Sequence, residues 1–257
     1  MLFIDRLYFR GVLMKQNIAF ISGASRGIGR AIARKLASEG WALAINCSSS
    51  QEELRHLASE LKDEFHIPCL PLIGDAGDEA FVQSALSKIH QELGPVTALV
   101  NNAGVSHIGL LSDMTLEEWN RILRTNLTSV FCCCKHVIPD MVHAKSGAIL
   151  NISSVWGITG ASCEAAYSAS KGGMNALTKA LAKELAPSGI SVNAIACGVI
   201  DTRMNQCFSK EEREALCEEI PAGRFGTPQE VAELAFSILN APSYLTGQIV
   251  TLDGGWQ

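Results

Sequence analysis

Residues 22–29 read Ser-Gly-Ala-Ser-Arg-Gly-Ile-Gly, and this glycine-rich stretch decides the fold. The apolar run Ile18 to Ser22 that leads into it predicts a short buried strand. The segment that follows, Gly27 to Glu39, has apolar residues at four-residue spacing and stops at Gly40, as expected of a helix. A tight glycine turn between a buried strand and a helix is typical of an open parallel sheet.

The same alternation of strand and helix continues along the chain. Regular alternation implies parallel strands joined by right-handed crossovers. The predicted fold class is therefore α/β, with a single doubly wound parallel sheet of the Rossmann type and helices on both faces. Six further apolar runs predict strands at 41–46, 68–73, 98–100, 148–152, 191–196 and 248–252. Six further helices are predicted at 52–65, 79–93, 116–142, 167–185, 210–219 and 228–239.

Residues 14–257 contain no linker, so we expect one domain of the Rossmann type. Residues 1–13 do not continue the pattern, and Asp5, Arg6 and Arg10 interrupt any signal-peptide core. We interpret this segment as an N-terminal extension, either translated from an upstream start codon or disordered. An ordered arm at a subunit contact is the alternative.

The composition of the chain argues against several classes of function. The 257 residues carry a net charge of −5, which argues against a nucleic-acid or membrane-surface partner. No stretch reaches the ~18 uncharged apolar residues of a membrane span. The nine cysteines form no C-x-x-C pair, so we expect no metal site and no disulfide framework, as in a cytoplasmic protein.

The glycine turn predicts a binding site for a dinucleotide. Glycines let backbone N–H groups approach a pyrophosphate, and the N-terminus of the following helix favours the anion. The candidate residues of this turn are Gly23, Ser25, Arg26, Gly27, Ile28 and Gly29.

The second predicted strand indicates whether the dinucleotide is NAD or NADP. Enzymes that use NAD place an acid near its end to bind the adenosine ribose, but residues 42–50 contain none. A ribose 2′-phosphate would meet no repulsion there. Arg26 can pair with that phosphate, and Asn46 and Ser48 can donate hydrogen bonds to it. The sequence therefore predicts NADP(H) as the cofactor.

Tyr167 and Lys171 are four residues apart, which places both side chains on one face of a helix. A phenol has a pKa near ~10, and a neighbouring cation favours the phenolate and lowers that value. Ser154 lies upstream, in the stretch Asn151-Ile152-Ser153-Ser154-Val155. Together the three residues predict a proton-transfer site.

These motifs, with Asn101–Gly104 and Leu252–Gly255, resemble those of the short-chain dehydrogenase/reductases. Within the family, the chain looks most like the bacterial 3-oxoacyl-[acyl-carrier-protein] reductases. The resemblance covers 14–257 and implies NADPH-dependent reduction of a ketone in the cytoplasm, in fatty acid biosynthesis, by a homotetramer. The long helices at 116–142 and 167–185 are those that pair subunits in the family.

The resemblance also implies roles for individual residues. Tyr167 matches the acid/base, Ser154 the residue that holds the substrate carbonyl, and Lys171 the residue that binds the nicotinamide ribose. Asn126 matches a catalytic asparagine that orders a water leading to the lysine. Further positions that match cofactor-binding residues are Asp75 near the adenine, Asn102, Ala103, Gly104, Gly198, Ile200 and Thr202.

One position departs from the family pattern. Cys197 precedes Gly198 where the family usually has proline, so the turn gains a backbone N–H. We interpret Cys197 as a buried, unreactive residue, because a low thiol pKa needs a cationic setting.

Three hypotheses remain for the function, and the first is favoured because that activity is the commoner one among close relatives. The first is reduction of a 3-oxoacyl thioester on acyl carrier protein, an acidic partner that needs a basic rim. Candidates for this rim are Lys145, Arg121, Arg124 and Arg203, although Ser188 stands where carrier-dependent relatives often have a basic residue.

The second hypothesis rests on segments around the catalytic residues, which look like those of relatives that reduce the 5-aminopentanone modification on elongation factor P. Glu164 lies one helical turn before Tyr167, where it can engage an amine; the alternative is a helix cap. Trp156 and Met204 complete the candidate substrate residues. The third hypothesis, a regulator that binds cofactor without turnover, is disfavoured because the catalytic residues are intact.

Overall fold

The computed structural model describes residues 16–205 and 208–257, so the N-terminal extension predicted for 1–13 lies outside the described residues. Seven parallel strands form one sheet in the order β3-β2-β1-β4-β5-β6-β7. The predicted Rossmann-type fold class is confirmed. The strands are β1 (Ile18–Ile21), β2 (Ala42–Cys47), β3 (Cys69–Ile73), β4 (Ala98–Asn101), β5 (Gly147–Ser154), β6 (Ile190–Cys197) and β7 (Ile249–Leu252).

Helices cover both faces of this sheet, and six of those described bury an apolar stripe against it. α1, α2 and α8 contribute to the core on one face, and α3, α5 and α6 to the core on the other. The helices are α1 (Gly27–Ser38), α2 (Gln51–Phe65), α3 (Glu79–Glu92), α4 (Leu116–Leu123), α5 (Ser129–Ala144), α6 (Ala165–Leu185), α7 (Lys210–Glu219) and α8 (Pro228–Leu239).

The predicted elements agree with the structure to within two residues at their ends, with one exception. The single helix expected at 116–142 is divided into α4 and α5 by a π-helical turn at Arg124–Thr128. No helix in the described part of the chain is both long and apolar enough to cross a bilayer.

The strand order reverses direction beside β1, and this positions the site. Ile21 pairs with Ile45 of β2 on one side and with Val100 of β4 on the other. The connections that leave β1 and β4 therefore diverge and open a crevice at the carboxyl edge of the sheet. The glycine turn follows β1 directly into this crevice.

Candidate active site

A cavity of about 510 Å³ opens at the carboxyl edge of the sheet. The segments that follow β1, β2, β3, β4, β5 and β6 line it, so residues far apart in sequence share one site. Of the predicted site residues, the cavity is lined by Gly23, Ser25, Arg26, Gly27, Ile28, Asn46, Ser48, Asp75, Asn102, Ala103, Gly104, Ser154, Trp156, Glu164, Tyr167, Lys171, Gly198, Ile200, Thr202 and Met204.

The glycine turn closes tightly because two of its residues adopt left-handed backbone conformations. Gly23 has φ 65° and Gly27 has φ 56°, which side chains rarely allow. A Cβ at Gly23 would lie 2.7 Å from Cα of Ala103, so the turn packs directly on the segment after β4. A Cβ at Gly29, inside α1, would overlap the carbonyl of Gly23.

The first turn of α1 is free to receive an anion. Arg26 stands at the N-cap with no side-chain cap, and the turn contains no acidic residue. Its backbone N–H groups therefore have no side-chain acceptor, and the helix dipole favours negative charge. Thr202 faces the turn, with Cγ2 3.5 Å from the position of a Cβ at Gly27. These features fit the pyrophosphate of a nicotinamide dinucleotide.

Asn46, at the end of β2, was expected to donate a hydrogen bond to a ribose 2′-phosphate, but its amide group has other partners. Its Nδ2 donates to the carbonyls of Leu72 at 3.1 Å and Gly74 at 3.0 Å, tying β2 to β3. The amide donors are thus engaged by the sheet, which leaves the ribose end of the cavity to Arg26 and Ser48, both exposed. Nothing in the sequence indicated that Asn46 connects β2 to β3.

Asp75 and Asn102 hold the walls of the cavity in place. Asp75 accepts hydrogen bonds from the backbone N–H of Gly77 at 2.8 Å and from Nε of Arg124 at 2.9 Å. Asn102 Nδ2 donates to the carbonyl of Gly23 at 2.8 Å. Sequence reasoning missed Ser22, whose Oγ accepts from the backbone N–H groups of Asn102 and Ala103, both at 3.1 Å.

Ser154, Tyr167 and Lys171 meet at the floor of the cavity. Ser154 ends β5, Tyr167 and Lys171 lie on the first turns of α6, and the Ser154 hydroxyl hydrogen-bonds the phenol. Lys171 Nζ lies 5.6 Å from the centre of the Tyr167 ring. It donates to the carbonyl of Ile152 at 2.7 Å. The Ser154 hydroxyl thus contacts the phenol, and the lysine lies close to the same ring.

Burial sets the protonation of this group. It raises the pKa of Tyr167, while the hydrogen bond from Ser154 acts in the opposite sense. Burial also lowers the pKa of Lys171 to about 8. The lowered tyrosine pKa expected from the sequence is thus not found in this structure, because desolvation outweighs the hydrogen bond from Ser154. Burial favours the neutral form of both groups.

Asn126 lies in the π-helical turn and is fully buried. Its Oδ1 accepts from the backbone N–H of Val105 at 2.8 Å, and its Nδ2 donates to Ser170 Oγ at 3.0 Å. A Cβ at Gly104 would lie 3.5 Å from Asn126 Oδ1 and 3.6 Å from Lys171 Nζ. The asparagine and the lysine therefore face the same space, and π turns are common at such functional positions.

Glu164 and Trp156 form one wall of the cavity, as the substrate prediction requires. Glu164 occupies the N-cap position of α6, but its side chain makes no cap hydrogen bond. Instead it accepts a hydrogen bond from the Trp156 side chain, and burial raises its pKa. No cation of the described residues contributes to that pKa. The capping interpretation is therefore wrong for this side chain.

Trp256 also lines the cavity, and no signal in the sequence connected it with the site. Its ring meets that of Trp156 edge to face, with the centroids 4.9 Å apart at 61°. Met204 also lines the cavity and is exposed. Cys197 is buried beneath the catalytic group, and burial raises its thiol pKa to about 12, in keeping with an unreactive residue.

The expected basic rim is only partly present. Lys145 follows α5 and precedes β5, so within its own chain it lies at the amino edge of the sheet, away from the cavity. Arg124 is bonded to Asp75, and Arg203 forms an ion pair with Glu53 at 3.6 Å.

The known proteins that resemble this chain are oxidoreductases, in agreement with the geometry of the site. The family described as short chain dehydrogenase matches residues 17–213. An uncharacterized oxidoreductase of Bacillus subtilis is 41% identical over 93% of this chain and 98% of its own. A 3-oxoacyl-[acyl-carrier-protein] reductase of Staphylococcus aureus is 38% identical over 92% of this chain and 96% of its own. One from Aquifex aeolicus is 36% identical over 95% and 98%.

The fold and the site define a dinucleotide-dependent oxidoreductase. The chain belongs to the short-chain dehydrogenase family, whose members use NAD or NADP.

Proposed function

We propose that the protein reduces a ketone to a secondary alcohol with NADPH. The observation that carries this proposal is the convergence of Ser154, Tyr167 and Lys171 beside the uncapped N-terminus of α1. When bound, the nicotinamide supplies a hydride. Ser154 and Tyr167 donate hydrogen bonds to the carbonyl oxygen as negative charge develops there, and Tyr167 gives up its proton. Lys171 then passes a proton to the Tyr167 phenolate, and solvent water ordered by Asn126 restores the proton to Lys171.

The choice of NADPH rests on the ribose end of the cavity. Arg26 is exposed there, and β2 ends without an acid that would repel a 2′-phosphate. A guanidinium pairs with phosphate through two parallel hydrogen bonds. We expect NADPH to bind at least about tenfold more tightly than NADH, or about 1.4 kcal/mol.

A fluorescence titration with both dinucleotides tests this preference. Arg26→Ala is expected to shrink the NADPH advantage. Arg30→Ala is the matched control, because Arg30 lies one turn further along α1 and is paired with Glu60 at 2.9 Å. Equal affinities of the unmodified protein for NADPH and NADH would reject the assignment.

Two substrates are candidates. The names of the relatives from Staphylococcus aureus and Aquifex aeolicus favour a 3-oxoacyl thioester on acyl carrier protein. The chemistry of the cavity favours a ketone that bears an amine, such as the 5-aminopentanone group on elongation factor P. Glu164 presents a carboxyl group without a cationic partner among the described residues, and such a group recognises ammonium.

We rank the amine-bearing ketone first, because the basic rim needed for an acidic carrier is incomplete while the carboxyl group is in the cavity. The test compares turnover of acetoacetyl thioesters with that of aminopentanone-modified elongation factor P. Glu164→Gln is expected to impair only the second reaction. Robust reduction of the thioester, with none of the modified protein, would reverse the ranking.

A further inference from the structure

We propose that Trp256 is a specificity-determining residue that acts through Trp156 on Glu164. Its ring holds the Trp156 indole in place, and the indole in turn holds the carboxyl group that faces the substrate. The positioning role stands on the geometry alone, whereas the charge selectivity that it produces rests on the proposed amine-bearing substrate.

The segment after β7 is anchored so that Trp256 enters the cavity. Asp253 accepts hydrogen bonds from the backbone N–H groups of Gly255 at 3.0 Å and Gln257 at 2.9 Å. Gly254 and Gly255 have φ 72° and 84°, so the chain reverses sharply here. The backbone N–H of Ala222 donates to the carbonyl of Gly254 at 3.1 Å. The tryptophan between these bonds has little freedom to leave the site.

The turn after β6 is shaped to accept this segment. A Cβ at Gly198 would lie 2.7 Å from Cβ and 2.8 Å from Cα of Asp253, so only glycine fits without movement. The backbone N–H of Gly198 also donates to the carbonyl of Leu252 at 2.9 Å. The anchored segment is thus in direct contact with the segment that leads to Ile200 and Thr202.

Trp156 has two restraints besides Trp256. Its backbone N–H donates to Ser154 Oγ at 3.2 Å, and its side chain donates to Glu164. Aromatic pairs prefer an edge-to-face arrangement such as the one with Trp256. Removing the Trp256 ring would leave one side of the indole against open cavity, and the indole could then turn away from Glu164.

The result is a wall that combines a carboxyl group with two aromatic rings. Cations are attracted both to carboxylates and to tryptophan faces, most strongly where water is excluded. The titratable group that faces Glu164 from within α6 is Tyr167. A neutral substrate gains only apolar contact from the same wall, so the wall discriminates by charge.

The first test measures the positioning without any substrate. The protein is labelled with fluorotryptophan, and the Trp156 signal is assigned by its loss in Trp156→Phe. In the unmodified protein this signal is expected to move with pH as Glu164 titrates, and to stay fixed in Glu164→Gln. Trp256→Ala should abolish the movement and Trp256→Phe should restore it. An unchanged Trp156 titration in Trp256→Ala would overturn the positioning role.

The second test measures charge selectivity with two synthetic methyl ketones. One carries a trimethylammonium group at the end of a short alkyl chain, and the other carries the isosteric tert-butyl group. Trp256→Ala is expected to raise KM for the cationic ketone about tenfold. The kcat for that ketone should change little. The KM for the neutral ketone should rise much less, because it loses only apolar contact, and Trp256→Phe should behave like the unmodified protein.

Each test can contradict one part of the proposal without affecting the other part. Equal KM changes for both ketones would overturn charge selection by the wall. A lack of preference for the cationic ketone in the unmodified protein would reject the amine-bearing substrate, while the fluorine signal would still decide whether Trp256 positions Trp156.

Discussion

Tyr167→Phe removes one oxygen atom from the floor of the cavity and leaves the ring in place. The phenol is the proton donor in the proposed reaction, so kcat is expected to fall by at least ~10²-fold. Dinucleotide binding should be retained, because the substitution keeps the ring and leaves the glycine turn unchanged. Steady-state kinetics and a dinucleotide titration measure the two effects. Near-normal turnover would refute the assigned role.

Lys171 gives a pH dependence of stability that can be checked on the cofactor-free protein. Its pKa of about 8 in the folded chain lies below the ordinary value of 10.5. Between these values the unfolded chain binds more protons at this lysine, so the contribution of Lys171 to stability rises as pH increases from about 8 towards 10. Above pH 10 the raised pKa of Tyr167 acts in the opposite direction.

Lys171→Met should remove this rise. The expected difference in slope is up to about 1.4 kcal/mol per pH unit, the value for one proton. Denaturant unfolding of both proteins at pH 8, 9 and 10 measures it. Parallel stability profiles would show that the lysine is not desolvated in the folded protein.

The catalytic residues could be predicted because each belongs to a short motif whose spacing or resemblance has chemical meaning. Trp256 could not, because its role depends on the way the chain reverses at Asp253. The role of Asn46 was also hidden, since its partners belong to β3 and to the turn after it. The local sequence shows which polar side chains are present. It does not show which of their donors and acceptors form hydrogen bonds with other segments in the folded protein.

At the scale of elements, the helix expected at 116–142 shows the same limit. Its apolar pattern is continuous, so the sequence predicted an unbroken helix. The π turn at Arg124–Thr128 places Asn126 against Val105 and Ser170, residues of other segments. Strand and helix bounds elsewhere were predictable because periodicity and glycine or proline stops are local signals.

Gly198→Ala tests the contact between the turn after β6 and the segment after β7. The added methyl group must displace Asp253, and overpacking of this kind costs about 1–3 kcal/mol. Gly172→Ala is the matched control, because the nearest neighbour of its Cβ would be 3.5 Å away and alanine favours a helix. Denaturant unfolding compares the two. Equal free energies of unfolding for the two variants would mean that the segment after β7 moves aside without loss of stability.

At the scale of the whole molecule, we expect a homotetramer. The family pairs subunits through the helices that correspond to α4, α5 and α6. Leu116 and Phe131 on α4 and α5 are 73% and 49% exposed in the single chain, an apolar surface suited to a partner copy. Multi-angle light scattering at micromolar concentration should give four times 27.5 kDa. A monomer under those conditions would contradict the prediction.

The pairing of β1 with β4 has a consequence for synthesis of the chain. Ile18 in β1 donates a hydrogen bond to Thr97, which directly precedes β4, and these two residues are 79 positions apart in sequence. A ribosome adds about 5–20 residues per second, so β1 waits on the order of 4–16 s for its second neighbour. During that interval a fully apolar strand has an open edge, the kind of surface that recruits other chains. Expression at lower temperature or with added chaperone should therefore raise the soluble yield.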